Sequence, residues 1–200
     1  MKAILLSTAY LPNIAYLSHV LSYQEIYIEQ YEHFIKQTYR NRCELFSSNG
    51  KQILSIPIIK QADKELIKDK RISYAEDWQK QHWRAITSAY KNSPYFEYFE
   101  DDLKPFYETP YEFLLEYNTA LLHTILHIIR IKKTLQFTSQ YESNPIHYLD
   151  LRDANNIPAP NNYNYYQVFA HKYDFIKNLS CLDSLFHIGL ETREICTIKF

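Results

Sequence analysis

The N-terminal segment constrains the fold of this chain more than any other stretch. The run "AILLST" at 3–8 is continuously apolar, as in a buried strand. The run "NIAYLSHVL" at 13–21 has apolar residues at helical spacing, with Asn13 as a plausible N-cap. "EIYIEQY" at 25–31 predicts a second strand. A strand, a helix and a strand in this order predict a βαβ unit with two parallel strands.

A β-hairpin and several helices are predicted to follow this unit. Asn49 and Gly50 lie between two β-like runs, and this pair favours a type I′ turn in which both central residues have positive φ. Further helices are predicted at 76–93, 109–133 and 178–189. We therefore expect one α/β domain over residues 1–200. Its mixed sheet would begin with the βαβ unit and be extended by the hairpin, with helices packed on it.

The composition excludes several classes of function. Only two of the 200 residues are glycine, so neither a P-loop nor a Rossmann glycine motif can be built, and we expect no cofactor. A net charge of −1 argues against nucleic acid as a partner. Neither the three cysteines, which form no CxxC pair, nor His123 and His127, which lack a neighbouring glutamate, predict a metal site.

The hydropathy of the chain predicts its location. No stretch approaches the ~20 apolar residues that a membrane helix needs. The N-terminal apolar run "AILL" is too short for the hydrophobic region of a signal peptide. We therefore expect a cytoplasmic protein without a membrane span.

A cluster of three cations, Lys36, Arg40 and Arg42, is the clearest candidate for a binding site. If residues 31–43 form a strand, side-chain alternation places all three on one face, over about 13 Å. Such a face would bind a phosphate or a carboxylate. If the stretch is helical, Lys36 and Arg40 still share a face. The alternative is a solvated edge strand whose charges prevent aggregation.

Two further residues are candidates for a functional role because they carry an ionisable side chain on a largely apolar helix. His19 lies in the first predicted helix, where a surface or half-buried histidine is the simpler interpretation. Asp183 is a lone acid on an apolar helix, and it needs a partner if it is buried. A cation of the 36–42 cluster would serve as that partner.

Four blocks of sequence, taken in order, resemble a known family. They are "YLPNIAYLSHVL", "YEHFIKQTYRNRCELFSSNGKQILSIPI", "DWQKQHWRAITSAYKNSPYFEYF" and "YYQVFAHKYDFIKNLSCLDSLFHIG". Together they resemble the WbqC-like family, bacterial proteins often encoded among O-antigen and other surface-polysaccharide genes. The resemblance implies transfer of an amino-acyl or acyl group onto a sugar. Two departures stand out: the segment before the last block is shorter, and Gln30-Tyr31 replaces an acidic–His pair, so His33 does not inherit that histidine's role.

Together these observations give one functional hypothesis and one alternative. The hypothesis is a transferase-like protein of surface-polysaccharide biosynthesis that binds an anionic small-molecule substrate, such as a nucleotide-sugar or an acyl donor. The candidate substrate-binding residues are Asn13, Lys36, Tyr39, Arg40, Asn41, Arg42 and Gln167. The candidate catalytic residues are His19, Glu29, His33 and Asp183. The alternative is a non-catalytic protein of the same pathway that binds a glycan precursor or acts as a scaffold.

Overall fold

The computed structural model describes residues 3–60, 64–153, 156–161 and 163–197. The strands are β1 (Ala3–Leu6), β2 (Ile26–Ile28), β3 (Arg42–Ser47), β4 (Gly50–Ser55), β5 (Leu135–Phe137) and β6 (Tyr148–Leu151). The α-helices are α1 (Ile14–Ser22), α2 (Trp78–Tyr90), α3 (Phe96–Leu103), α4 (Leu114–Ile128), α5 (Ala170–Tyr173), α6 (Cys181–Ile188) and α7 (Thr192–Ile195). Short 3₁₀ helices lie at Ile67–Asp69, Lys104–Tyr107 and Gly189–Glu191.

The predicted βαβ unit is confirmed and lies at the centre of a parallel sheet. The order of the strands is β5-β2-β1-β6, and every neighbouring pair is parallel. Asn13 caps α1, because its side chain accepts a hydrogen bond of 2.9 Å from the backbone N–H of Tyr16. All four residues of β1 are buried. This burial follows from the position of β1 between two other strands, where a continuous apolar run is favoured.

The predicted hairpin is also confirmed, but it pairs separately from the parallel sheet. β3 and β4 are antiparallel and form a two-stranded sheet of their own. The α/β class is therefore confirmed, with parallel and antiparallel pairs in two sheets rather than in one mixed sheet.

The turn of the hairpin differs from the type I′ form. Gly50 has a φ of 91°, but Asn49 is not among the residues with positive φ. The type I′ turn needs positive φ at both central residues, so this prediction is wrong. The hydroxyl of Ser47 accepts from the N–H of Asn49 and donates to the carbonyl of Gly50, and these local bonds stabilise the observed turn.

The predicted helices are confirmed with shorter bounds, and they enclose a common core. α2 and α4 lie inside the predicted ranges 76–93 and 109–133. α6 begins after Ser180, whose hydroxyl accepts from the N–H of Leu182, and it ends at Gly189 with a φ of 58°. Within the described residues, no helix is long and apolar enough to cross a membrane.

Candidate functional site

Four polar residues form a row along the carboxyl edge of the parallel sheet. Each one directly follows a strand: Ser7 follows β1, Glu29 follows β2, Thr138 follows β5 and Arg152 follows β6. The strand register aligns the last residues of the four strands, which brings these side chains together. Open α/β sheets bind their ligands outside the carboxyl ends of the strands, so this edge is the first place to look for a site.

Glu29 is the centre of this row and is completely buried. One of its carboxylate oxygens accepts from the hydroxyl of Thr138 at 2.7 Å and from the N–H of Tyr31 at 2.9 Å. The other accepts from the N–H of Glu142 at 3.0 Å and lies 3.4 Å from the guanidinium of Arg152. Both oxygens are therefore paired, as a buried charge requires. These contacts hold the loops after β2, β5 and β6 in place.

A second buried ion pair joins the row through Ser7. The guanidinium of Arg40 donates to both carboxylate oxygens of Glu32, at 2.8 and 2.6 Å. It also donates to the hydroxyl of Ser7 at 2.8 Å, and that hydroxyl donates to the backbone carbonyl of Arg152 at 2.7 Å. Ser7, Glu29, Glu32, Arg40, Thr138 and Arg152 are called the edge network below.

The three cations of the 36–42 cluster do not share a strand face. β3 begins only at Arg42, and Gln37 has a φ of 62°, so the residues before Arg42 form a turn. The predicted alternation is therefore wrong for this stretch. Lys36 is exposed, whereas the Arg40 side chain is only 3% exposed inside the edge network. Arg42 extends over the hairpin, where its Nε donates to the Ser55 hydroxyl at 2.8 Å.

A small cleft lies where this turn packs over the outer face of the hairpin. It is lined by Gln37, Thr38, Tyr39, Arg42, Glu44 and Ile53, and it is called the hairpin cleft below. Its volume is about 120 Å³. A phosphate or carboxylate group fits in a cleft of this size.

The charges in the hairpin cleft come from neighbouring positions on one strand. Arg42 and Glu44 are two residues apart on β3 and therefore lie on the same face. Glu44 Oε2 accepts from Lys51 Nζ across the hairpin at 2.8 Å. Burial and the charge of Glu44 raise the pKa of the Tyr39 hydroxyl, and the Asn13 side chain opposes that rise.

The edge network supports the hairpin cleft from beneath. Arg40 Nη1 donates to the hydroxyl of Thr38 at 3.2 Å, and Thr38 lines the cleft. The Thr38 hydroxyl in turn donates to the carbonyl of Ile35 at 2.9 Å. Arg40 thus fixes the turn that carries Tyr39 instead of facing the cleft itself.

Asp183 and Gln167 lie together in a third polar cluster, near the C-terminus. The Gln167 amide and the Tyr165 hydroxyl both donate to Asp183 Oδ2 at 2.7 Å. His187 Nδ1 lies 3.8 Å from Asp183 Oδ1. Burial raises the pKa of the Asp183 carboxyl, and these neighbours oppose the rise. The prediction that a cation of the 36–42 cluster pairs with Asp183 is wrong, because the described partners of Asp183 are Tyr165, Gln167 and His187.

The remaining candidates lie apart from the hairpin cleft. His33 is exposed. His19 packs within α1, where its Nε2 donates to the Pro158 carbonyl at 3.1 Å, and burial lowers its pKa. Asn41 is buried, and its amide donates to the Ile56 carbonyl at 2.8 Å. Each of the two buried side chains is held at a backbone carbonyl, and its second polar atom, His19 Nδ1 or Asn41 Oδ1, is buried without a partner among the described residues.

The candidates predicted from the sequence leave out part of the edge network and of the hairpin cleft, although some of the residues left out have a signal in the sequence. Ser7 and Thr138 follow apolar runs that read as strands, and parallel strands place such residues at one edge. Arg152 follows a strand that the pattern does not predict. Glu32 has no local signal, because its role depends on contact with Arg40. The described residues contain no cluster of side chains able to bind a metal ion.

The chain was compared with known proteins. The model of the WbqC-like protein family matches residues 8–153. The uncharacterised protein Rv1507c of Mycobacterium tuberculosis (strain ATCC 25618 / H37Rv) is 28% identical over 143 residues. That match covers 70% of this chain and 62% of the relative, which is less than two thirds of the relative's length. No solved structure matches the chain.

Proposed function

This chain belongs to the WbqC-like protein family, and from that premise we propose that it is a cytoplasmic transferase-like protein of surface-polysaccharide biosynthesis. In this proposal it moves an acyl or amino-acyl group onto a sugar. The hairpin cleft binds a phosphate or carboxylate group of one substrate. In this proposal the anionic group lies in the cleft, whose volume is about 120 Å³, and the rest of that substrate extends outside it.

The observation that carries this proposal is that most of the hydrogen-bond donors of the Arg42 guanidinium have no partner among the described residues. Only its Nε has a partner among the described residues, the hydroxyl of Ser55. Its two terminal nitrogens are left for a ligand, and a guanidinium binds a carboxylate or phosphate through two parallel hydrogen bonds. Arg40 and Arg152 differ from Arg42 in this respect, because each is already paired with a carboxylate.

Glu44 is the acidic side chain that lines the hairpin cleft, and we assign it the role of general base. Its Oε2 binds Lys51, and Oε1 has no partner in the described part of the chain. In the transfer step, the sugar hydroxyl would bond to the acyl carbon of an activated donor. Glu44 would take the hydroxyl proton, and the leaving group of the donor would depart with the electron pair of the broken bond. His19, Glu29, His33 and Asp183 do not line this cleft.

The anion site is tested with Arg42→Ala. We expect the affinity for a uridine diphosphate sugar, measured by titration calorimetry at low salt, to fall at least about tenfold, since a charge-assisted hydrogen bond contributes ~1.5–3 kcal/mol. Lys132→Ala is the matched control: Lys132 is an exposed cation without a partner among the described residues. Equal affinity in Arg42→Ala and the wild type would rule out the hairpin cleft as the anion site.

The non-catalytic alternative predicts a different result for turnover. A transferase produces an acylated sugar detectable by mass spectrometry, and Arg42→Ala and Glu44→Gln both lower its rate. A binding or scaffold protein retains anion binding in Glu44→Gln and produces no acylated sugar in any variant.

A further inference from the structure

A second cleft, separate from the hairpin cleft, lies beside the outer face of α2. It is lined by Asp77, Gln79, Lys80, Trp83, Arg84, Tyr107 and Glu108, and it is called the α2 cleft below. Its volume is about 480 Å³, which falls within the roughly 300–1,000 Å³ of small-molecule sites. No residue lines both clefts.

The walls of the α2 cleft are held together by hydrogen bonds. The side-chain amide of Gln79 donates to the carbonyls of Phe106 and Thr109, each at 2.9 Å. These two bonds fix α2 to the segment that follows α3. The cleft is therefore a formed feature of the fold rather than a gap between unconnected elements.

One side of the α2 cleft is aromatic. The Trp83 ring lies 5.4 Å from the Tyr107 ring, with 30° between the planes, and 6.1 Å from the Phe96 ring. Trp83 is only partly buried, whereas Trp78, on the same helix, is 2% exposed. Part of a supported indole surface thus remains open to the cleft. A flat apolar surface with a polar surround suits ligands that are apolar on one face and polar at their edges.

The rim of the α2 cleft carries equal numbers of acids and bases. Asp77 and Glu108 are the acids, and Lys80 and Arg84 are the bases. Lys80 binds Asp77 at 2.8 Å, and Glu108 lies 3.6 Å from Lys104. Arg84 is exposed and has no partner among the described residues. The two acids and two bases provide hydrogen-bond donors and acceptors, and together they give no net positive charge that would favour a phosphate.

We infer that the α2 cleft binds a neutral saccharide, with one pyranose ring against Trp83 and its hydroxyls bonded to Arg84 and the rim carboxylates. The C–H face of a pyranose is apolar and its edge carries hydroxyls that both donate and accept, which matches this surface. The inference rests on the proposed function: the site would hold the acceptor glycan, while the hairpin cleft holds the anionic substrate.

The experiment uses the methyl glycosides of glucose, galactose and N-acetylglucosamine as probes. Saturation-transfer NMR and Trp fluorescence should show binding of at least one glycoside to the wild-type protein. We expect Arg84→Ala and Trp83→Phe to weaken it by about fivefold or more. Arg84→Ala removes no hydrogen bond or ion pair among the described residues, so we expect its fold to be retained, and Lys132→Ala serves as the control.

The outcomes separate this inference from the proposed function. The inference holds if Arg84→Ala loses glycoside binding while Arg42→Ala retains it. It is overturned if no glycoside binds the wild type at millimolar concentration, if both α2-cleft variants bind normally, or if inorganic phosphate displaces the bound glycoside. The anion site is tested separately, by the loss of nucleotide-sugar binding in Arg42→Ala.

Discussion

At position 82, a buried histidine connects three parts of the chain. His82 Nδ1 lies 2.9 Å from the Tyr10 hydroxyl, and the Tyr10 hydroxyl lies 3.1 Å from that of Tyr107. The backbone carbonyl of Ser55 raises the pKa of His82, but burial has the larger and opposite effect. Burial lowers the pKa of His82 to about 4, so the ring is neutral near pH 7.

This residue makes the stability of the protein depend on pH. Between the folded pKa of about 4 and the ordinary value of 6.5, the unfolded chain binds a proton that the native state does not. The free energy of unfolding therefore falls as the pH decreases through this range, by up to about 3 kcal/mol from this group. His82→Gln keeps a donor and an acceptor without titrating. We expect urea denaturation at pH 7, 6, 5 and 4.5 to show a shallower pH dependence for the variant; equal slopes would contradict this role.

At the scale of elements, the two glycines lie at different structural features, Gly50 at the hairpin turn and Gly189 at the C-terminal end of α6. Gly50 has a φ of 91°, and an added Cβ would lie 3.7 Å from the Tyr173 ring, an ordinary contact. Gly189 has a φ of 58°, and a Cβ there would lie 2.8 Å from the Tyr95 ring. The hairpin turn thus requires only the backbone conformation of glycine, whereas the end of α6 also requires its small size.

These differences predict unequal costs for the same substitution. We expect Gly50→Ala to lower the free energy of unfolding by about 1 kcal/mol, because alanine is strained by the positive φ at this position and meets no clash there. Gly189→Ala should cost more than ~2 kcal/mol, because the clash with Tyr95 adds to the backbone strain. Ser88→Ala, on the exposed face of α2, is the control and should change stability by less than ~0.5 kcal/mol. Equal losses for both glycine variants in urea denaturation would refute the clash at Tyr95.

At the scale of the whole molecule, the edge network ties together segments that are distant in sequence. Four of its residues, Ser7, Glu29, Thr138 and Arg152, directly follow the four strands of the parallel sheet, and Arg40 lies in the turn before the hairpin. The network is largely buried: Arg40 pairs with Glu32 at 2.6 Å, and Arg152 lies 3.4 Å from Glu29 and binds Asp150, outside the network, at 2.6 Å. It therefore acts as a support for the hairpin cleft, which adjoins it at Thr38.

The Glu32–Arg40 pair allows a test of this supporting role. Arg40→Met should lower the free energy of unfolding by about 3–5 kcal/mol, because Glu32 would be left buried without its partner. Glu32→Leu in the same protein should recover most of this loss, since removing both charges of a buried pair is often nearly neutral. The measurement is a double-mutant cycle in urea, with an expected coupling above ~2 kcal/mol. If the free-energy losses of the two single variants simply add in the double variant, Glu32 and Arg40 are not coupled and the pair does not support the fold.

Much of the fold follows from the sequence by itself, because local patterns depend on residues a few positions apart. Apolar periodicity indicated β1, α1, β2 and the hairpin, and the caps at Asn13 and Gly189 are short-range signals. The family resemblance is also confirmed over residues 8–153, although the C-terminal block lies outside the matched range. The separation of the hairpin from the parallel sheet depends on packing that no local pattern encodes.

Only the tertiary structure decided the roles of the 36–42 cations. Arg40 and Arg42 look equivalent in the sequence, two positions apart and on one face of a presumed strand. The turn at Gln37 breaks that alternation, and Arg40 meets Glu32, Ser7 and the carbonyl of Arg152 in the interior. A buried guanidinium must be satisfied by whatever partners the fold brings to it, and these come from positions 8 to 112 residues away. Arg42 has a single neutral partner among the described residues, and it is the arginine of this cluster to which we assign ligand binding.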